Sequence, residues 1–167
     1  RSNSMIGMDD LLQRIRIEKL IWFSEWHGID HWERVRRNGR IIAESNGGDS
    51  KVVDYFAYLH DCCRVNEEND PHHGPRAAAF AIENRKSIQL SDCQFHLLCE
   101  ACRDHTFSIP EKGKMTDPTL AACWDGDRPD LPRVGILPDP DLLFSDLAKN
   151  LAEEFSHASN ISLGAIL

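Results

Sequence analysis

Four side chains in this sequence have the types and the order needed to hold a divalent cation. His60 and Asp61 stand side by side at the end of an apolar helical run, His31 precedes them on another expected helix, and Asp127 follows on a third. Imidazole nitrogen and carboxylate oxygen together suit a divalent metal such as Mn, Fe, Co, Ni, Zn or Mg. A lone histidine on a helix is more often a packed core residue than a ligand. The ordered set H…HD…D, each member in helical context, is much harder to obtain by chance. Adjacent helical residues diverge by about 100°, so His60 and Asp61 can share an ion only if it lies near the helix end. The polar stretch that begins at Arg64 fits that placement.

Helices must position these groups, because nearly every segment has helical spacing and none shows sustained alternation. Asp9 can cap a first helix running to about Trp26, with Leu11, Leu12, Ile15, Leu20 and Phe23 apolar. A second helix starts near Asp30, after Gly28, and runs to about Ser45, where Asn46-Gly47-Gly48 ends it. Asp49 or Ser50 caps a third, in which Val52, Tyr55, Phe56 and Leu59 form one apolar face and deliver His60-Asp61 to the C-terminal end. Asp70 with Pro71 starts a fourth helix to about Asn84. Ser91 caps a fifth over Asp92 to Arg103, and Phe107 to Met115 form a loop. Asp117-Pro118 starts a sixth that carries Trp124 and Asp127, with Pro129 and Pro132 ending or kinking it. A last helix spans about Asp139 to Phe155. The expectation is one all-α domain over 9–156, a disordered or extraneous start over 1–8, and a tail over 157–167.

Composition narrows the function classes. The chain has 167 residues, 41% hydrophobic and 28% charged, which describes an ordinary globular domain with enough material for a sizeable core. Its formal charge of −8 argues against a nucleic-acid surface, which rewards a basic face. No stretch approaches the roughly 20 apolar residues that cross a bilayer, and no signal segment opens the chain, so a cytoplasmic address is expected. The six cysteines, Cys62, Cys63, Cys93, Cys99, Cys102 and Cys123, are then reduced thiols. Cys99-x-x-Cys102 has no partner pair and falls mid-helix, so it reads as small buried hydrophobes and not as a zinc site. Trp22, Trp26, Trp32 and Trp124 read as core, His96 and His157 as structural or exposed, and His27 as an end cap of the first helix.

His31 in HWERV, His60-Asp61 in YLHD and Asp127 in WDGDRPDL resemble the motifs of the HD-domain superfamily of metal-dependent phosphohydrolases. The resemblance covers roughly Gly28 to Ile136 and implies a single HD-domain-like bundle of about six or seven helices. It implies that His31, His60, Asp61 and Asp127 hold a divalent metal used to hydrolyse phosphate esters. The chain departs from the family in placing Pro129 where the family has leucine, and Asp125 stands close enough to compete with Asp127 for the ligand role. His73 in HHGPRAA and His105 in RDHT fall where some branches of the family place ligands for a second metal, with the motif aspartate as the bridge; His72 fits that spacing less well.

The resemblance implies a small phosphorylated, nucleotide-like substrate attacked by a metal-activated water. Arg34, one turn after His31, and Arg64 are candidates to offset phosphate charge. Asp61 can hold metal and help take the water's proton, Glu67 or Glu68 can orient the water, and Arg128 can pair with a ligand carboxylate. Two rivals keep the same helical frame: a di-iron oxygenase, and a non-catalytic nucleotide-binding module. Oligomeric state is not legible.

Overall fold

A computed structural model describes residues 3–130 and 137–154, and among these there are seven α-helices and no strand. They are α1 (Asn3–Glu18), α2 (Ile29–Asn46), α3 (Ser50–Leu59), α4 (His73–Glu83), α5 (Asp92–Asp104), α6 (Pro118–Asp127) and α7 (146–154). The all-α bundle expected from periodicity is the fold observed. Among the described residues, no helix is long and apolar enough to cross a membrane.

Helix α3 is the central rod. Val52, Val53 and every residue from Tyr55 to Leu59 are buried, because α2, α4, α5 and α6 all pack against it. Asp49 starts it, its carboxylate accepting from the amides of Lys51 and Val52, and Gln94 on α5 donates to the same side chain at 2.7 Å. Gly47 ends α2 in the left-handed conformation at φ 82°, which only glycine adopts without cost. Ser91 and Gln94 form a reciprocal capping box at the start of α5. Asp117 caps α6, whose first residue is Pro118.

The α2–α6 contact matters most for the site, since these helices carry His31 and Asp127. They cross at Gly39 and Gly126. A Cβ added to Gly126 would fall 2.8 Å from the Gly39 Cα and 3.0 Å from the Val35 carbonyl oxygen, both rigid backbone. Trp124 anchors α6 to α5 by donating to the Ala101 carbonyl at 3.0 Å.

Several sequence expectations are corrected. Residues 3–8, expected to be a disordered or extraneous start, are helical and part of α1, which bears on disorder and not on origin, and Met8 packs against the core. Helix α1 ends at Glu18 and not near Trp26; Lys19 is extended, and a short 3-10 helix, Leu20–Phe23, follows. Leu20, Phe23 and Trp26 are consequently exposed, although periodicity placed them in the core. Asp70 does not cap α4. Its carboxylate is drawn to the Val65 amide and the Arg76 guanidinium, so α4 begins at His73. The segment from Asp139 opens with a 3-10 turn, Pro140–Leu142, before α7. All six cysteines are unpaired thiols, but Cys93 is exposed and Cys99 half-buried. Pro132, Phe155 and the tail over 157–167 lie outside the described residues.

Candidate metal centre

Every expected ligand sits within a turn of a helix end. His31 is in the first turn of α2, His60 caps the C-terminus of α3, and Asp61 follows it. His73 opens α4, His105 caps the C-terminus of α5, and Asp127 is the last residue of α6. Helix ends from across the bundle therefore meet at one place, and all six residues lie there in two groups of three.

The first group joins His31, His60 and Asp127. His31 Nε2 is 3.3 Å from His60 Nε2 and 3.2 Å from Asp127 Oδ1, and His60 Nε2 is 3.8 Å from the same oxygen. The second group joins Asp61, His73 and His105. Asp61 Oδ1 lies 3.1 Å from His73 Nε2 and 3.7 Å from His105 Nε2, and the two imidazole nitrogens are 2.8 Å apart. Asp61 Oδ2 turns toward the first group, 3.8 Å from His31 Nε2 and 3.7 Å from His60 Nε2. One carboxylate thus stands between the two groups.

The far side of each ring fixes its tautomer. His60 Nδ1 donates to the Ala57 carbonyl at 2.9 Å, His105 Nδ1 to the Cys102 carbonyl at 2.8 Å, and His73 Nδ1 to the Asp70 carbonyl. Each of these acceptors lies three residues earlier, and for His60 and His105 it is one of the carbonyls a helix terminus leaves over. His31 Nδ1 instead donates to the Asp130 carboxylate at 2.7 Å. With Nδ1 carrying the proton, all four Nε2 lone pairs point inward at each other and at carboxylate oxygens. Lone pairs so opposed, in buried surroundings, repel unless a cation or a proton lies between them. The donor set therefore fits divalent metal, the usual partner of imidazoles oriented in this way.

Electrostatics agrees. Burial pushes the His60 pKa down to about 4, keeping the ring neutral. Burial opposes ionisation of Asp61, but His60, His105, His27 and His73 outweigh it and hold the carboxyl well below its ordinary range. Asp127 is lowered likewise, burial being overcome by His31 and His60. For His105, burial disfavours the charge, yet the Asp61 carboxylate raises the pKa.

Around the metal groups is a cleft of about 310 Å³, lined by His27, Asp61, Arg64, His73, His105 and Asp127 on its polar side and by Ile109, Pro138, Leu142 and Leu143 on its apolar side. Arg64 sits at its edge, Nη1 3.7 Å from Asp61 Oδ1, with Nη2 donating to the Glu68 carbonyl at 2.7 Å. A larger groove of about 570 Å³ passes Phe107 and Trp124, but none of the six ligands lines it.

The structure separates the remaining candidates. Asp125 is fully buried and faces away from the metal groups; it accepts from the Phe144 and Ser145 amides and from the Ser145 hydroxyl, so Asp127 alone of the pair joins the site. Arg34 does not line the cleft but donates to Asp130 at 2.8 Å, behind His31. Glu67 is a half-exposed side chain whose Oε2 lies 3.9 Å from His27 Nε2, so it reaches the site through that ring. Arg128 lines the cleft and donates to the Leu142, His105 and Ser108 carbonyls, and not to a ligand carboxylate.

Two residues of the site were not found by sequence reasoning. His27, expected as a helix cap, places Nδ1 3.2 Å from Asp61 Oδ2, brought there by a turn in which Ser24 Oγ accepts from the Trp26 and His27 amides. Gly28 makes that turn possible, since a Cβ there would lie 2.3 Å from the Ser24 carbonyl oxygen. Asp130 lies in the helical turn directly after α6. Its only sequence signal is its spacing from Asp127.

No protein-family model and no curated protein matches the chain. Among solved structures, the chain is similar to a predicted HD superfamily hydrolase from an uncultured Thermotogales bacterium. The TM-score is 0.72 at 19% identity, over 96% of this chain and 91% of that one. The chain shares the fold of a predicted HD superfamily hydrolase, and at the helix ends of its own bundle it brings together histidine and aspartate groups that could hold a metal.

Proposed function

We propose that this protein is a two-metal phosphohydrolase of the HD-domain type, acting on a small phosphate ester with a nucleotide-like leaving group. The observation that carries the reading is the division of Asp61: Oδ1 belongs to the His73/His105 group and Oδ2 faces the His31/His60 group. Divalent ions held there would acidify a water and polarise a phosphoryl oxygen. His31, His60 and Asp127 would hold one ion, and His73 and His105 the other, with Asp61 between them.

The chain's own residues supply the rest. Arg64 stands beside Asp61 with its guanidinium at the cleft edge, where it would meet a phosphate oxygen. His27 Nδ1 donates to Asp61 Oδ2 and the ring lies on the cleft wall, where it would help hold that carboxylate in place. Ile109, Pro138 and Leu142 offer an apolar wall for the organic part of the ester. The cleft volume of about 310 Å³ suits a small molecule and not a polymer strand.

The test is a phosphatase and phosphodiesterase screen of purified protein with Mn²⁺, Co²⁺, Ni²⁺, Zn²⁺ or Mg²⁺, using nucleoside monophosphates, cyclic nucleotides and p-nitrophenyl phosphate. Turnover with at least one metal, abolished in Asp61→Ala, is the expected result. Nucleotide-induced thermal stabilisation without turnover would overturn the enzyme assignment in favour of a binding module. Dioxygen consumption by an iron-loaded, coloured protein would overturn it in favour of an oxygenase.

A further inference from the structure

The four inward-facing imidazoles are not held alike. His60, His73 and His105 each donate Nδ1–H to a neutral backbone carbonyl three residues earlier. His31 lies at the other kind of helix end, in the first turn of α2. The carbonyl three residues before it, that of Gly28, already accepts the Trp32 amide at 3.1 Å as the first bond of the helix. His31 takes its Nδ1 partner from elsewhere in the chain, and that partner is a carboxylate. Asp130 Oδ2 lies 2.7 Å from His31 Nδ1, with the His31 side chain fully buried and that of Asp130 12% exposed.

Asp130 is itself gripped. Arg34 Nε donates to Oδ1 at 2.8 Å and to Oδ2 at 3.0 Å, reaching over from the next turn of α2. The pair Arg34 and His31, one turn apart on one helix, thus close on the same carboxylate from the turn that follows Asp127. This ties α2 and the turn after α6, the elements beside His31 and Asp127, to one another at a point behind the ligands. No comparable carboxylate stands behind His60, His73 or His105 in the hydrogen bonds of the described residues, where backbone carbonyls do the work.

We infer that Asp130, oriented by Arg34, is the positioning residue for His31, and that it makes the two metal groups unequal by strengthening only the one His31 belongs to. The inference rests on the proposed metal-holding role of the site and adds to it a named outer partner and a direction. A charged acceptor on Nδ1–H raises the basicity of Nε2 more than a neutral carbonyl does, and it fixes both ring rotation and tautomer. Arg34, which the sequence offers as a phosphate contact, acts through Asp130 and not on substrate.

The experiment has two readouts, one of which needs no metal. In metal-free protein, ¹⁵N-histidine NMR should show His31 as the Nδ1–H tautomer, and Asp130→Ala should convert that one ring to a mixture while His60, His73 and His105 keep theirs. In Mn²⁺ or Zn²⁺ titrations followed by calorimetry, Asp130→Ala should weaken one of two ions by about 10- to 100-fold and leave the other within about twofold. His105→Ala, which removes the other group, identifies which ion is which. Asp130→Asn keeps a neutral acceptor and should fall between wild type and Asp130→Ala, and Arg34→Gln should weaken the same ion by about tenfold or less. Unchanged tautomer and unchanged affinity in Asp130→Ala, or equal weakening of both ions, would overturn the inference. A wild type that binds no metal at all would instead overturn the proposed function, and the tautomer measurement would still decide the role of Asp130.

Discussion

Asp61 Oδ1 approaches His73 Nε2 at 3.1 Å while the other oxygen of the same carboxylate faces away, toward His31 and His60. A single side chain so divided makes the two halves of the site interdependent. Asp61→Asn keeps shape and removes the charge, and it is expected to lower the affinity for both ions by more than the roughly 100-fold that loss of an outer partner costs. Calorimetric titration of the metal-stripped variant checks this. Loss of only one ion would show that Asp61 does not bridge.

Metal should stabilise the fold, because the six ligands come from five helices and the loops at their ends. At 100 times its dissociation constant, one ligand that binds only the folded state contributes about 2.7 kcal/mol. For a domain of this size that corresponds to a rise of about 5–10 °C in Tm. Calorimetric scans with and without EDTA should show it, and the rise should shrink in His60→Ala, which removes a ligand of one of the two groups.

The close crossing of α2 on α6 predicts a steric requirement remote from the ligands. Gly126→Ala would drive a Cβ into the backbone of Gly39 and Val35, which cannot rotate aside. The expected cost is about 1–3 kcal/mol of stability, together with weaker metal binding, since His31 and Asp127 ride on the two helices being forced apart. Gly47→Ala, where a Cβ meets nothing but φ is 82°, should lose stability through backbone strain alone and leave metal affinity unchanged. Denaturant melts paired with metal titrations separate the two effects.

Asp125 gives the converse case. It is buried and accepts from the Phe144 and Ser145 amides and the Ser145 hydroxyl, holding the segment that leads into α7. Asp125→Ala should destabilise the protein by about 1–3 kcal/mol by orphaning part-buried donors. Metal stoichiometry should remain at two. Loss of metal in this variant, with the fold intact by circular dichroism, would transfer the ligand role from Asp127 to Asp125.

Much of the site is legible in the sequence because its ligands occupy helix ends, and helix ends carry local signals. Asp49, Ser91 and Asp117 mark three starts that the structure reproduces, and Gly47 marks a stop. Once those boundaries stand, His60-Asp61 and Asp127 fall at C-terminal ends without further information. What periodicity cannot give is the path between helices. The chain leaves helical geometry at Lys19 in order to bring His27 against Asp61, and that turn exposes Leu20 and Phe23, whose spacing reads as core. Arg34 illustrates the same gap. Its position one turn after His31 is correct, but its partner is fixed by where residues 128–130 fold back, which no spacing on α2 encodes.

The most direct measurement of the central claim is a crystal structure of Mn²⁺-loaded protein with anomalous data collected near the manganese edge. Two peaks about 3.5–4 Å apart, one among His31, His60 and Asp127 and one beside His73 and His105, with an Asp61 oxygen on each, are the predicted result. Metal at saturating concentration that leaves the six side chains without an anomalous peak between them would contradict it.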